Sequence, residues 1–292
     1  MNLHERVGIN PLPWFLDSSG NWMLSRAAIV EAAGPVRAAG FSAITVDIPE
    51  GMTTDEYAGL LHSLELGTAP GYFGADFHDV VARTELRQRA ERHVAAHREL
   101  GHDGSFVASN LSPERIATPA VGAEADRDRF AALIEGLALV VDVFNEGGVT
   151  PYLHPHVGSW IETEDEVEAA LAAVPELGFG PDTGHLFWAG IDPVEMIRRH
   201  RTRVGAVHLK DSSRDAARQA RERGDDYFRA TAAGVWRELG NGDVDLVGAL
   251  AELAPDFAGW KIIEVDVPEL ASATESTLHS GAWARTRLGS GS

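Results

Sequence analysis

Apolar residues follow two alternating rhythms along the chain. Short runs rich in β-branched and aromatic residues give way to longer segments whose apolar positions recur every three or four residues. Val7–Asn10 is the first short run, closed by Pro11, Pro13 and Trp14. Phe41–Asp47 (FSAITVD) is the second, stopped by Pro49 and Gly51. Leu64–Pro70 leading into GYFG predicts a third strand, Ser105–Ser109 a fourth, Val149–His154 a fifth and Gly178–Asp182 a sixth. Val204–Leu209 and Trp260–Asp266 (WKIIEVD) complete the set. Between these runs, Arg26–Ala39, Thr54–Leu64, Asp79–Leu100, Arg127–Asn145, Glu164–Val174, Asp192–His200 and Asp245–Leu253 carry helical periodicity. TTDE at the head of Thr54–Leu64 is a capping signature, and Gly147 and Gly148 end the helix before them. Asp211–Ala230 is polar with little apolar periodicity, which predicts a long loop with a short helix. Beyond the last strand the chain reads as helical or frayed.

Eight alternations of strand and helix imply parallel strands joined by crossover helices. Within 292 residues they predict a single (β/α)₈ barrel, an α/β fold spanning 1–288 with 289–292 as an unstructured tail. No G-x-G-x-x-G follows the first strand and no G-x-x-x-x-G-K-[ST] occurs, so dinucleotide and P-loop readings lose support. A barrel of this kind works at the C-terminal ends of its strands. The polar residues expected there are Asn10 and Trp14, Asp47, His154 and His156, Asp182 and His185, His208 and Lys210, and Glu264 and Asp266. Strands five to eight adjoin one another, so His154, Asp182, His208 and Glu264 are candidate ligands of one divalent ion. Such a mixed nitrogen and oxygen set suits Mn²⁺, Co²⁺, Fe²⁺ or Zn²⁺ better than it suits the all-oxygen shell of Mg²⁺ or Ca²⁺. Each residue also has a plain structural reading. A lone strand-end histidine is ordinarily a surface or hydrogen-bonded one, and Asp182 in P-D-T-G-H equally fits a helix cap. Glu264, inside an apolar run, is harder to explain without a cation or a strong partner.

Composition narrows the function classes. There are no cysteines, which removes disulfides, thiolate nucleophiles and cysteine-ligated metal sites, and suits a cytoplasmic protein. The formal net charge of −19 opposes a phosphate-tracking nucleic-acid surface. The opening MNLHERVGIN has no signal-like apolar core, and no run approaches the roughly 20 apolar residues of a membrane span.

The segments YLHPHVGSWIET, PDTGHLFWAGIDP, VHLKDSSR, RELGNGDVDL and WKIIEVD resemble the xylose-isomerase-like TIM-barrel superfamily of sugar isomerases, epimerases and dehydratases. Within it they look most like the inosose (2-keto-myo-inositol) dehydratase group. The matches run from Pro151 to Pro268; the N-terminal half matches only in its strand–helix rhythm and in Asn10, Pro11 and Trp14. The resemblance implies one divalent metal, Mn²⁺ or Co²⁺ first with Zn²⁺, Fe²⁺ and Mg²⁺ as alternatives, on Asp182, His208 and Glu264. It puts His154 where the epimerases usually carry a glutamate and His156 at a later histidine. It also implies substrate contacts from Glu162, His185 and Arg214, while Trp14 and Asp47 stay strand-end candidates for substrate binding. With His154 in place of that glutamate, the symmetric pair of bases used by an epimerase is lost. The expectation is therefore a dehydratase acting on a keto-polyol or keto-sugar, with Glu264 or His156 as base and His185 or Lys210 as acid. A ketose isomerase or epimerase is the alternative. WFLDSS and ITVDIPEG depart from the inosose group, so the substrate loops of strands one to three differ. Such barrels are often homo-oligomers.

Overall fold

The computed structural model describes residues 6–16 and 21–289. Its strands are β1 (Val7–Asn10), β2 (Ala43–Thr45), β3 (Gly67–Ala69), β4 (Tyr72–Ala75), β5 (Gly104–Ser109), β6 (Thr150–Leu153), β7 (Gly178–Phe179), β8 (Ala206–Leu209), β9 (Asp211–Ser212), β10 (Trp236–Arg237) and β11 (Trp260–Glu264). One parallel sheet runs β3-β2-β1-β11-β8 and another runs β4-β5-β6-β7. Parallel bridges Phe179–Val204 and Asp182–His208 join β7 to β8. At the opposite seam β3 and β4 are two halves of one barrel strand, so the ring has eight strand positions and is an α/β TIM barrel.

The third strand, expected as one run, is broken at Pro70. Proline donates no ladder hydrogen bond, and the carbonyls on either side face different neighbours. Ala69 accepts from Val46 N (2.9 Å), whereas Gly71 accepts from Phe106 N (3.0 Å). The Gly71 N–H, left without a strand partner, donates instead to His97 Nε2 at 3.0 Å. His97 sits on the helix Arg83–Glu99 and stacks on His93 with ring centroids 4.0 Å apart.

Strand alternation sorts side chains into two cores. Outward residues such as Ile9, Ile44, Phe73, Val107, Leu153, Val207 and Ile263 pack against the helices. Inward, Ala43, Ala69, Phe106, Ala206 and Ile262 fill the barrel with Tyr152 and Trp260. Continuing the inward alternation toward the C-terminal ends leads to Asn10, His154, His208 and Glu264, so the pattern that fills the barrel floor also aims polar groups at its mouth.

The helices start on caps that the sequence advertises. Thr53 and Glu56 form the capping box expected from TTDE, and Thr163 and Glu166 form another. Two short helices, Leu12–Phe15 and Pro113–Ala117, carry too few residues to show periodicity. The polar segment after β8 is more ordered than expected. It holds helices Arg214–Arg223 and Tyr227–Ala232, between the paired strands β9 and β10. Leu288 closes the helix Ala273–Leu288, and residues 290–292 of the expected tail lie outside the described residues. Among the described residues no helix is long and apolar enough to cross a membrane.

Candidate metal centre

His154 follows β6, Asp182 follows β7 and His208 lies within β8. All three are buried, and one potential ligand atom from each lies within 4.8 Å of the others. His154 Nε2 is 3.9 Å from Asp182 Oδ2, and His208 Nδ1 is 3.8 Å from the same oxygen. Glu264, at the end of β11, adjoins the triad with Oε2 at 3.2 Å from His208 Nδ1. Its neighbour in register, Asn10, donates to that same oxygen at 2.6 Å.

Asp182 satisfies both readings of its motif. It is the N-cap of the helix Thr183–Trp188, its Oδ1 accepting His185 N at 2.9 Å. Its Oδ2 faces the triad. Gly184 in the same motif is required by close approach, because a Cβ there would meet the Lys210 stem at 2.6 Å. The Lys210 ammonium is thereby admitted to the cluster. It contacts Glu264 Oε1, lies 2.8 Å from Asp266 Oδ1 and 3.4 Å from Asp182 Oδ2, and touches His185 Nε2 at 3.2 Å. Trp236 lies under it, with the ammonium 4.7 Å from the ring centroid.

Burial and mutual charge set the protonation states. Burial drives His154 and His185 well below the ordinary imidazole range, with neighbouring histidines and Lys210 adding to it. Burial, reinforced by Lys210, takes His156 down to about 3. These three rings are therefore neutral at neutral pH. Burial opposes the Lys210 charge, but Asp182, Asp266 and Glu264 outweigh it and hold the ammonium well above its usual range. Burial likewise opposes the Glu264 charge, yet Lys210 and His208 keep that carboxyl well below the usual range. Asp266 is pushed up to about 7 by burial, against the pull of Lys210.

Three carboxyls face one ammonium, with Glu264 held ionised and Asp182 and Asp266 raised by burial, so the buried site carries a carboxyl surplus that a divalent cation would complement. The donor chemistry fits as well. Asp182 Oδ2 and His208 Nδ1, which face each other at 3.8 Å, are buried and have no hydrogen-bond partner among the described residues. Burying such atoms without a partner costs about 1–3 kcal/mol each. A metal on His154, Asp182 and His208, with Glu264 adjacent, would remove that cost for the atoms it meets.

The other expected site residues divide. His156 and His185 join the cluster, their rings 3.7 Å apart, and His185 Nδ1 accepts Val157 N at 3.2 Å. Glu162 does not. Its carboxylate is spent on Ala120 N (2.9 Å), Gly122 N (2.9 Å), Gly158 N (2.8 Å) and Arg115 (3.0 Å), so it binds loops together. Arg214 is exposed, its guanidinium 4.4 Å over the Phe187 ring, and it is not brought to the cluster. Trp14 packs half-buried against the outer core. Asp47 is half-buried at the end of β2, where burial raises its carboxyl to about 6. Three aromatic residues were missed, among them Tyr227, whose hydroxyl donates to Asp266 Oδ2 at 3.5 Å. Tyr72 meets His154 edge-on at 5.3 Å, and Trp236 meets His185 at 4.9 Å. The alternation of GYFG could have revealed Tyr72, since Phe73 faces the helices and Tyr72 therefore faces inward.

The family model described as "Xylose isomerase-like TIM barrel" matches residues 35–287. An inosose dehydratase from Geobacillus thermodenitrificans is 30% identical over 161 residues, 54% of each chain. Another from Geobacillus kaustophilus is 33% identical over 46% of this chain and 45% of its own. These matches span about half the length of those two relatives. The rhizopine catabolism protein MocC of Rhizobium meliloti is 29% identical over 89% of this chain and 81% of its own length. Among solved structures, a D-allulose 3-epimerase from Methylomonas sp. in complex with D-allulose superposes with a TM-score of 0.69. It shares 17% identity over 98% of this chain and 99% of that one.

Proposed function

The chain belongs to the xylose isomerase-like TIM-barrel family, and on that premise we propose that it is a divalent-metal-dependent dehydratase of a keto-polyol or keto-sugar of the inosose type. The observation that carries this reading is the buried His154–Asp182–His208 triad, with its unpartnered ligand atoms and carboxyl surplus. Relatives named inosose dehydratase support the substrate class. His154, Asp182 and His208 would hold the ion, with Glu264 as the adjoining fourth group, and the mixed donor set suits Mn²⁺ or Co²⁺. When bound, the ion supplies Lewis acidity that polarises the substrate's ketone.

Dehydration removes a proton from the carbon beside the ketone and expels the β-hydroxyl as water, so it needs one base and one acid. Glu264 has both oxygens engaged, Oε2 by Asn10 and Oε1 by Lys210, so neither is free to take a proton. His156 is neutral, and its ring lies against His185. We assign it the proton abstraction. Lys210 carries a proton that its carboxylate neighbours hold in place, and its contact with His185 makes the pair the acid for the departing hydroxyl. Trp236 and Tyr227, packed together in an apolar cluster over this side, exclude water from the reacting groups. The enzyme would act as one domain in the cytoplasm, with a homo-oligomer as the expected assembly.

The full-length likeness to a D-allulose epimerase favours a second reading, a ketose 3-epimerase. Incubation of the Mn²⁺- or Co²⁺-loaded protein with keto-inositols and ketohexoses in D₂O, followed by NMR, separates the two. A dione or enone formed with loss of water supports the dehydratase. Deuterium at C3 of an intact hexose would replace it with the epimerase.

A further inference from the structure

At the C-terminal ends of the strands that precede β6 lies a pocket of about 370 Å³ to which no role has been given. Asp76 and His78 enter it from the end of β4, Ser112 and Glu114 from the end of β5, and Trp160 and Arg129 form a wall. These strands directly precede β6, which carries His154, so the pocket continues the rim upstream of the cluster. Its volume falls in the roughly 300–1,000 Å³ range of small-molecule sites. Its chemistry is mixed, with two carboxylates, a hydroxyl, an imidazole and a guanidinium in one concavity. An anionic group would meet Asp76 and Glu114, and an apolar one would strand the polar edges. A ring bearing several hydroxyls can donate to the carboxylates and accept from the others. His78 Nδ1 is buried here and has no hydrogen-bond partner among the described residues.

The pocket is also preformed. Arg115, fully buried, pairs with Glu162 and Glu166. Glu162 also ties Ala120, Gly122 and Gly158 together. Ser112 N donates to Gly158 O at 2.9 Å, joining the loop after β5 to the loop after β6. Trp160 is clamped beneath Arg115 and Arg129, whose guanidinium carbons stand 4.9 and 4.1 Å from its ring centroid. A buried ion network is expensive to assemble; here it fixes the two loops that shape the pocket.

We infer that this pocket is a second carbohydrate subsite, and that the substrate carries a hydroxyl-rich ring attached to the reacting unit. The inference rests on the carbohydrate reading of the metal centre. Calorimetry on the Mn²⁺-loaded protein compares methyl β-D-glucopyranoside with the two-ring probes cellobiose, maltose and trehalose. At least one two-ring probe binds tenfold or more tightly than the one-ring reference. His78→Ala and Glu114→Gln abolish that advantage while leaving one-ring binding within about twofold, since neither touches the metal centre. Equal affinity for one and two rings, or an advantage that survives both substitutions, overturns the inference. Dehydration of 2-keto-myo-inositol by the same proteins is measured in parallel. Turnover without a two-ring preference sinks the subsite alone, whereas absence of turnover with the preference intact sinks the dehydratase reading alone.

Discussion

At the scale of single residues, the candidate metal centre is a set of buried donor atoms from His154, Asp182 and His208 that lie within 4.8 Å of one another. Asp182→Asn keeps the helix cap, because the amide oxygen still accepts from His185 N, but removes the charge at Oδ2. Its stability should stay near that of the parent, while Co²⁺ affinity by calorimetry falls by two orders of magnitude or more. A variant that binds Co²⁺ as tightly as the parent would exclude Asp182 as a ligand. His154, Asp182, His208 and Lys210 were legible in the sequence because each ends an apolar run, and strand ends of a barrel converge. Glu162 and Arg214 were misplaced because the groups that claim them are distant or lateral. The backbone donors of Glu162 at Ala120 and Gly122 lie 42 and 40 residues away, and no local pattern announces them. Tyr72 went unnoticed because Pro70 hides where its strand begins.

At the scale of elements, two buried devices hold the strands and loops that frame the site. The first is His97, which completes the broken third strand through Gly71. Burial lowers its imidazole to about 4, with a nearby His102 acting in the same direction. The unfolded ring takes up a proton below about 6.5, so the unfolded state binds more protons as pH falls. Stability is then fully present above that value and is lost as pH drops toward 4. The loss attributable to His97 is of order 3 kcal/mol. Denaturant melts of His97→Gln should show a flatter decline between pH 6.5 and 4 than the parent, whereas parallel declines would contradict this role. The second device is the Arg115–Glu162–Glu166 network. Glu162→Gln leaves Arg115 under-compensated, and breaking a buried pair costs about 3–5 kcal/mol. A large fall in the urea midpoint with metal affinity unchanged is expected; lost metal affinity in a stable variant would return Glu162 to the site. The segment after β8 reads as a long loop with a short helix because its two helices start on capping side chains, Ser213 and Asp226, and bury only a few, mostly small, apolar residues, Ala220, Tyr227 and Ala230. Arg214–Arg223 buries only Ala220.

At the scale of the whole molecule, eight alternating β/α units and the rim position of the chemistry could both be read before any coordinates. Closure was expected from the count of units, but the form of its two seams, the break at Pro70 and the bridges between β7 and β8, was not, because neither leaves a periodic trace. Closure brings β8 beside β7, with β11 next beyond β8, and it gathers residues spread between His154 and Glu264 into one cluster. A cation that binds only the closed barrel should stabilise it by about 2.7 kcal/mol at a hundredfold excess over Kd. A thermal scan with saturating Co²⁺ should therefore show a rise of several degrees that Asp182→Asn lacks. The most direct test of the account is turnover by metal-stripped protein. EDTA-dialysed protein given 2-keto-myo-inositol should be inactive, and adding one equivalent of Mn²⁺ or Co²⁺ per chain should restore loss of water as seen by ¹H NMR. Full dehydration activity after complete stripping, verified by elemental analysis, would contradict it.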